Sequence, residues 1–177
     1  WLIDTQNFSG YWSNGKNQTR NTLAAIETLD WVDYSATNAK TLAIDWMVLN
    51  DPNNSDSLAR AITALSISNN SFKDELSADL ILEVNTSTGG FGYSKYYQQD
   101  NLTTALALKA LTQSEYFGED GTDLTVYETL YELLVAQNED GGYGYTPNGD
   151  SALTPTELAL DALLPYDGFT FEAEGSS

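Results

Sequence analysis

The chain has 177 residues, of which 26 are acidic and 7 basic, giving a formal net charge of −19, and it contains neither cysteine nor histidine. That balance argues against nucleic acid, whose phosphates need Lys and Arg, and against anionic membranes. The missing Cys and His together remove disulfides, thiolate chemistry, the common zinc sites and imidazole acid–base catalysis.

The length suits one domain with a sizeable core. No apolar stretch approaches the ~20 residues that span a bilayer, so membrane insertion is not expected. Charge is uneven: Lys109 is the last base, and everything beyond it is acidic or neutral. An acidic half reads as a solvated surface, or as a place for divalent cations or a basic partner. The chain starts at Trp1, with neither Met nor a signal peptide, and is expected to be a processed or excised piece.

In chain order, Trp1 to Thr5 reads as the last turn of a helix, followed by a turn with Gly10, Tyr11 and Trp12. Thr22 to Leu29 (TLAAIETL) is a small-residue helix, and Asn38 to Leu49 a longer amphipathic one. Only Asn50 to Ser55 separate the latter from a second small-residue helix, Leu58 to Leu65 (LARAITAL). Phe72 to Val84 is amphipathic and leads into GGFGY at Gly89 to Tyr93, then TALALKAL at Thr104 to Leu111. The order returns as Leu124 to Ala136, GGYGY at Gly141 to Tyr145, and TELALDAL at Thr156 to Leu163. In the third amphipathic helix Val126, Leu130, Leu133 and Leu134 share one face, with Glu128 and Glu132 elsewhere. After Pro165 the pattern stops: Gly168 to Glu174 reads as a short strand and Gly175 to Ser177 as linker.

A gapless slide of 52 positions puts Gly90 on Gly142, Phe91 on Tyr143, Leu108 on Leu160 and Leu111 on Leu163; upstream it puts Ile81, Leu82 and Asn85 on Leu133, Leu134 and Gln137. A fixed-offset self-match means a repeat architecture. The small helices, apolar on more than one face, suit an inner layer packed on both sides; the longer partners lie outside. Gly-rich turns join outer to inner, with positive φ just past a helix end. The expectation is an all-α domain over residues 1–165, built of about four unequal helical hairpins, with 166–177 a tail or linker leading to a further domain.

The runs VAQNEDGGYGY at Val135 to Tyr145 and ILEVNTSTGGFGY at Ile81 to Tyr93 resemble the repeat of the terpenoid cyclase and protein prenyltransferase superfamily; WLIDTQNFSGYW at Trp1 to Trp12 is similar to its glutamine–tryptophan motif. The resemblance implies an α/α toroid or partial toroid. The family's catalytic parts do not carry over. Prenyltransferase zinc sites need Cys and His, the thioester domains need Cys, and the cyclase DxDD acid motif occurs nowhere here. No cofactor is expected. Toroidal members that only bind ligands need no catalytic group.

Phe91, Tyr93, Tyr143 and Tyr145 read as scaffold, packing over helix ends with Gln137 capping backbone groups. A ligand-binding reading takes Tyr96, Tyr97, Asp100, Tyr145 and Asp150, on two loops expected at the rim of the inner-helix N-termini, where Tyr faces and carboxylates suit sugars or polar ligands. As a carboxylate pair for glycoside cleavage, Asp100 and Asp150 would need a separation of about 5 to 9.5 Å. Asp51 to Ser55 resembles the start of a calcium loop but lacks its glycine and its bidentate acid, and reads as a helix cap; Glu119, Asp120 and Asp123 read as another. No metal site is assigned. Glycosylation sequons start at Asn7, Asn17, Asn53, Asn69, Asn85 and Asn101.

The function expected is a non-catalytic repeat module, extracellular or on a prokaryotic cell surface, that binds a glycan or protein or self-associates. The alternative is a fragment of a terpenoid-cyclase-like or polysaccharide-active enzyme.

Overall fold

A computed structural model describes residues 1–167 apart from 14, 16, 33–36, 51 and 117–123. Among the described residues there are seven α-helices, two 3-10 turns and no strand. Asp51, the acidic turn at Glu119 to Asp123 and the C-terminal stretch read as a strand and linker lie outside the described residues.

The small-residue helices α1 (Gln18–Trp31), α3 (Ser55–Ile67), α5 (Asn101–Ser114) and α7 (Leu153–Leu163) pack in that order, each on the next. Over them lie α2 (Thr37–Leu49) on α1 and α3, α4 (Phe72–Leu82) on α3 and α5, and α6 (Thr125–Val135) on α5. Trp1 to Thr5, expected as the last turn of a helix, forms a 3-10 turn at Ile3–Thr5.

Alanine makes this layering work: Ala59, Ala61, Ala64, Ala105, Ala107 and Ala110 are fully buried and let helices approach on several sides. Burial falls toward both ends of the array. Nine residues of α3 and ten of α5 are buried, against five of α1 and three of α7, so the outermost inner helices lack a neighbour on one side.

Two expectations need correction. The outer helices are not the longer ones: α2, α4 and α6 have 13, 11 and 11 residues, against 14, 13, 14 and 11 for α1, α3, α5 and α7. α4 stops at Leu82 because the Glu83 and Val84 amides turn to the carbonyls of Leu80 and Ile81, tightening the chain into the next turn. In α6, Val126, Leu130 and Leu133 are core, but Leu134 is exposed.

The Lys109 ammonium on α5 reaches Glu27 on α1 at 3.0 Å and Asp161 on α7 at 2.9 Å, past the intervening α3. The ion triad thus ties α1, α5 and α7 together about two helical turns below the rim. Burial disfavours the charge on Lys109, but its bonds to Asp161 and Glu27 prevail and raise the ammonium pKa.

Candidate functional site: the rim at the inner-helix N-termini

The repeated turn is built the same way three times. Gly10, Gly89 and Gly141 have φ of 104°, 80° and 82°, outside the range easily reached by other residues. After each comes a buried aromatic, Trp12, Phe91 or Tyr143. Its backbone N–H donates to the hydroxyl of a threonine in the first turns of the next inner helix: Thr22 at 3.1 Å, Thr104 at 3.0 Å, Thr156 at 2.9 Å. Gln6 and Gln137 donate from Nε2 to the Gly10 and Gly141 carbonyls, so Gln137 does cap the turn.

The gapless slide is off by one residue upstream of the turn. Asn85 N–H bonds the Gly90 carbonyl as Asn138 N–H bonds that of Gly142, and buried Leu80 corresponds to buried Leu133. Asn85 is thus the counterpart of Asn138, not Gln137; the GGFGY turn carries one extra residue.

Each turn also locks onto the preceding inner helix. The Tyr93 carbonyl accepts from Ser55 N–H at 3.0 Å, and the Tyr145 carbonyl from Asn101 N–H at 2.9 Å, each donor being the first residue of its helix. Asn101 Nδ2 adds a bond to the Gly144 carbonyl at 3.1 Å. The backbone is held while both tyrosine rings remain exposed.

These bonds put the inner helices in register, and the first turns of all four line one cleft of about 720 Å³. Arg20, Asp56, Leu102 and Thr154 hold the same repeat position, and all four line it; one turn deeper come Arg60 and Leu158. Tyr93 and Tyr145 stand beside them with Asp100. About two turns down, the same alignment places Glu27, Thr63, Lys109 and Asp161, three of which form the ion triad.

Three of the four charged side chains in the cleft, Asp56, Arg60 and Asp100, are engaged with neighbours. Arg60 donates from Nε and Nη2 to the two oxygens of Asp56, both at 2.9 Å. Asp100 is the N-cap of α5: Oδ1 accepts from Thr103 N–H at 2.7 Å and Oδ2 from its hydroxyl at 2.9 Å. Burial, with a smaller push from the Asp56 charge, nevertheless raises the Asp100 pKa against those bonds.

Of the five candidate ligand residues, Asp100 and Tyr145 line the cleft and Tyr96, Tyr97 and Asp150 do not. Tyr96 is 93% exposed on the loop. Tyr97 meets Tyr93 edge-on, with centroids 5.7 Å apart. The sequence places Tyr93 mainly among the scaffold aromatics and singles out none of Arg20, Asp56 and Arg60 as a ligand residue. A signal for the last pair exists: an Arg inside an apolar helix, with Asp four residues earlier, is a buried i,i+4 ion pair.

Among the sequons, Asn7 accepts from Ser9 N–H and Asn85 from Ser87, while Asn17, Asn53 and Asn69 are exposed. Asn101 is buried with its Nδ2 bound to Gly144, which is incompatible with a glycan in this fold. Among the described residues no three acidic side chains converge as a metal site, and no helix is long and apolar enough to cross a membrane. No protein-family model matches the chain, and no curated protein is similar to it.

Proposed function

We propose that the chain is a non-catalytic binding module, a partial α/α toroid whose ligand cleft opens at the inner-helix N-termini and takes a sugar or a similarly polar ligand. The observation that carries this reading is the pairing of two anchored but exposed tyrosines, Tyr93 and Tyr145, over a cleft floored by Arg60, Asp56 and Thr154. Tyrosine faces stack on sugar rings, and the floor offers both donors and acceptors for hydroxyls.

Enzymatic readings are less well supported. Asp56 and Asp100 face one cleft, but Asp56 has both oxygens on Arg60 and Asp100 both on Thr103. Terpenoid chemistry would want a deep apolar cavity, whereas this cleft is lined largely by polar residues. A place outside the cell or on a prokaryotic surface is supported by the acidic composition, the sequons and the lack of cysteine. The intact mass of native material tests that part: added hexose mass supports export, and the bare polypeptide mass counts against glycosylation.

A glycan array followed by titration tests the cleft. Tyr145→Ala should weaken any sugar bound by roughly tenfold, the order expected for one lost aromatic contact. Tyr96→Ala should leave it unchanged. Wild-type protein that binds nothing on the array, or a Tyr145→Ala protein that binds equally well, would count against a sugar cleft.

A further inference from the structure

The sequence contains two arginines, Arg20 and Arg60, and both line the rim cleft. None of the described lysines does. The two cations are not equivalent in such a place. The planar guanidinium fork matches a carboxylate with two parallel bonds, whereas an ammonium is a point charge. With Asp56 and Asp100, the arginines make the cleft electrically balanced in a chain whose net charge is −19.

What the charged groups have left to offer is donors. Asp56 has both oxygens on Arg60, and Asp100 has both on Thr103. Arg60 is 9% exposed and spends Nε and Nη2 on Asp56, while its Nη1 makes no hydrogen bond among the described residues. Arg20 is exposed, and its guanidinium has no partner at all among those residues. It stands in the first turn of α1, where the positive end of the helix disfavours a cation, and that turn holds no acidic residue to offset it. An anion bound at Arg20 relieves that cost. Arg20 shares its repeat position with Asp56, Leu102 and Thr154, all of which face the cleft, and Arg60 lies one turn deeper on α3.

We propose that the cleft selects an acidic sugar, a ring bearing a carboxylate, which Arg20 grips with its fork while Arg60 Nη1 donates from the floor. This rests on the cleft being a sugar site and names the class of sugar. The fold also orients the ligand. Arg20 is on α1, the Tyr93 carbonyl is bound to the first residue of α3 and the Tyr145 carbonyl to that of α5, and these helices pack in that order. The acidic ring therefore lies at the α1 end, and neutral rings follow over Tyr93 and Tyr145. A net charge of −19 repels a densely charged polymer at long range, so a short ligand with one acidic ring fits and a polyanion does not.

Calorimetric titration of the full chain with three matched trisaccharides is the test, one ending in glucuronate, one in glucose and one in glucose 6-sulfate. The glucuronate ligand should bind roughly tenfold tighter than the glucose one, the order expected for one charge-assisted fork. Arg20→Gln should close that gap, and Arg20→Lys should restore only part of it, because the charge returns without the fork. Arg20 is exposed, so the helical circular dichroism of both variants should match wild type. Tyr145→Ala should weaken the acidic and neutral ligands alike. Equal binding of glucuronate and glucose ligands by wild type overturns the acidic-sugar inference and leaves the sugar cleft standing, as does a preference that survives Arg20→Gln. Tightest binding of the sulfate ligand overturns the carboxylate assignment. Binding of none of the three overturns the inference and the cleft together.

Discussion

Tyr143 and Phe91 fill the same buried position in successive repeats, but only Tyr143 brings a hydroxyl, and that hydroxyl is buried without a hydrogen-bond partner. Removing a buried unsatisfied polar group while keeping the ring should help: Tyr143→Phe is expected to raise stability by about 1 kcal/mol in urea unfolding. Burial also pushes the Tyr143 phenol above its usual pKa. Its contribution is therefore intact below the unfolded value of about 10 and lost as pH rises through the folded one. Tyr143→Phe should accordingly lessen the alkaline loss of stability. Asp100 has the same sign at the acid end. Its folded pKa is raised by burial and by Asp56, so its contribution is present below about pH 3.9 and lost as pH rises past that value. Asp100→Asn, which keeps a capping side chain, should flatten the stability profile just above that pH; Asp100→Ala should instead cost about 1 kcal/mol through loss of the cap. Thermal melts across the acid range distinguish the two.

At the scale of elements, the glycine turn is scaffold, and its glycines are not equally demanding. Gly89 and Gly141 share a φ near 80°, but a Cβ at Gly89 would meet Glu128 of α6 at 2.8 Å, whereas one at Gly141 would meet nothing. Gly141→Ala should therefore cost about 1 kcal/mol for the backbone alone, and Gly89→Ala clearly more, as measured by denaturant midpoints. Equal costs would mean that α6 does not hold the GGFGY turn. All seven helices were legible in the sequence, because small-residue and amphipathic stretches differ in period and composition. The extra residue at Thr86 to Thr88 was not, since a gapless slide matches the inner helices and hides a slip in a polar turn. Nor was the burial of Asn101 legible: an Asn at a helix start looks like a surface cap, and only the next repeat's turn, closing over it, takes it out of solvent.

At the scale of the whole molecule, one ion triad ties distant repeats together. Lys109 holds α1 and α7 from α5, so Lys109→Met should cost roughly 1 kcal/mol, less in high salt, because both acids are partly exposed and solvent-screened. An unchanged melting temperature would mean that the triad does not hold these helices together. The packing of the inner helices gathers four first turns into one cleft, which explains why only part of the candidate site could be read from the chain. Tyr145 and Asp100 stood out by residue type, but Arg20, Asp56 and Thr154 are neighbours only because the repeats are in register. The central claim is that ligands meet this cleft and the glycine turn merely supports it. Amide chemical-shift mapping during titration with an oligosaccharide bound on the array tests that claim most directly. Shifts should gather at Arg20, Ser57, Thr103, Tyr145 and Thr146, with the turn at Asn138 to Gly142 silent; shifts centred on that turn or on the outer helices would contradict it.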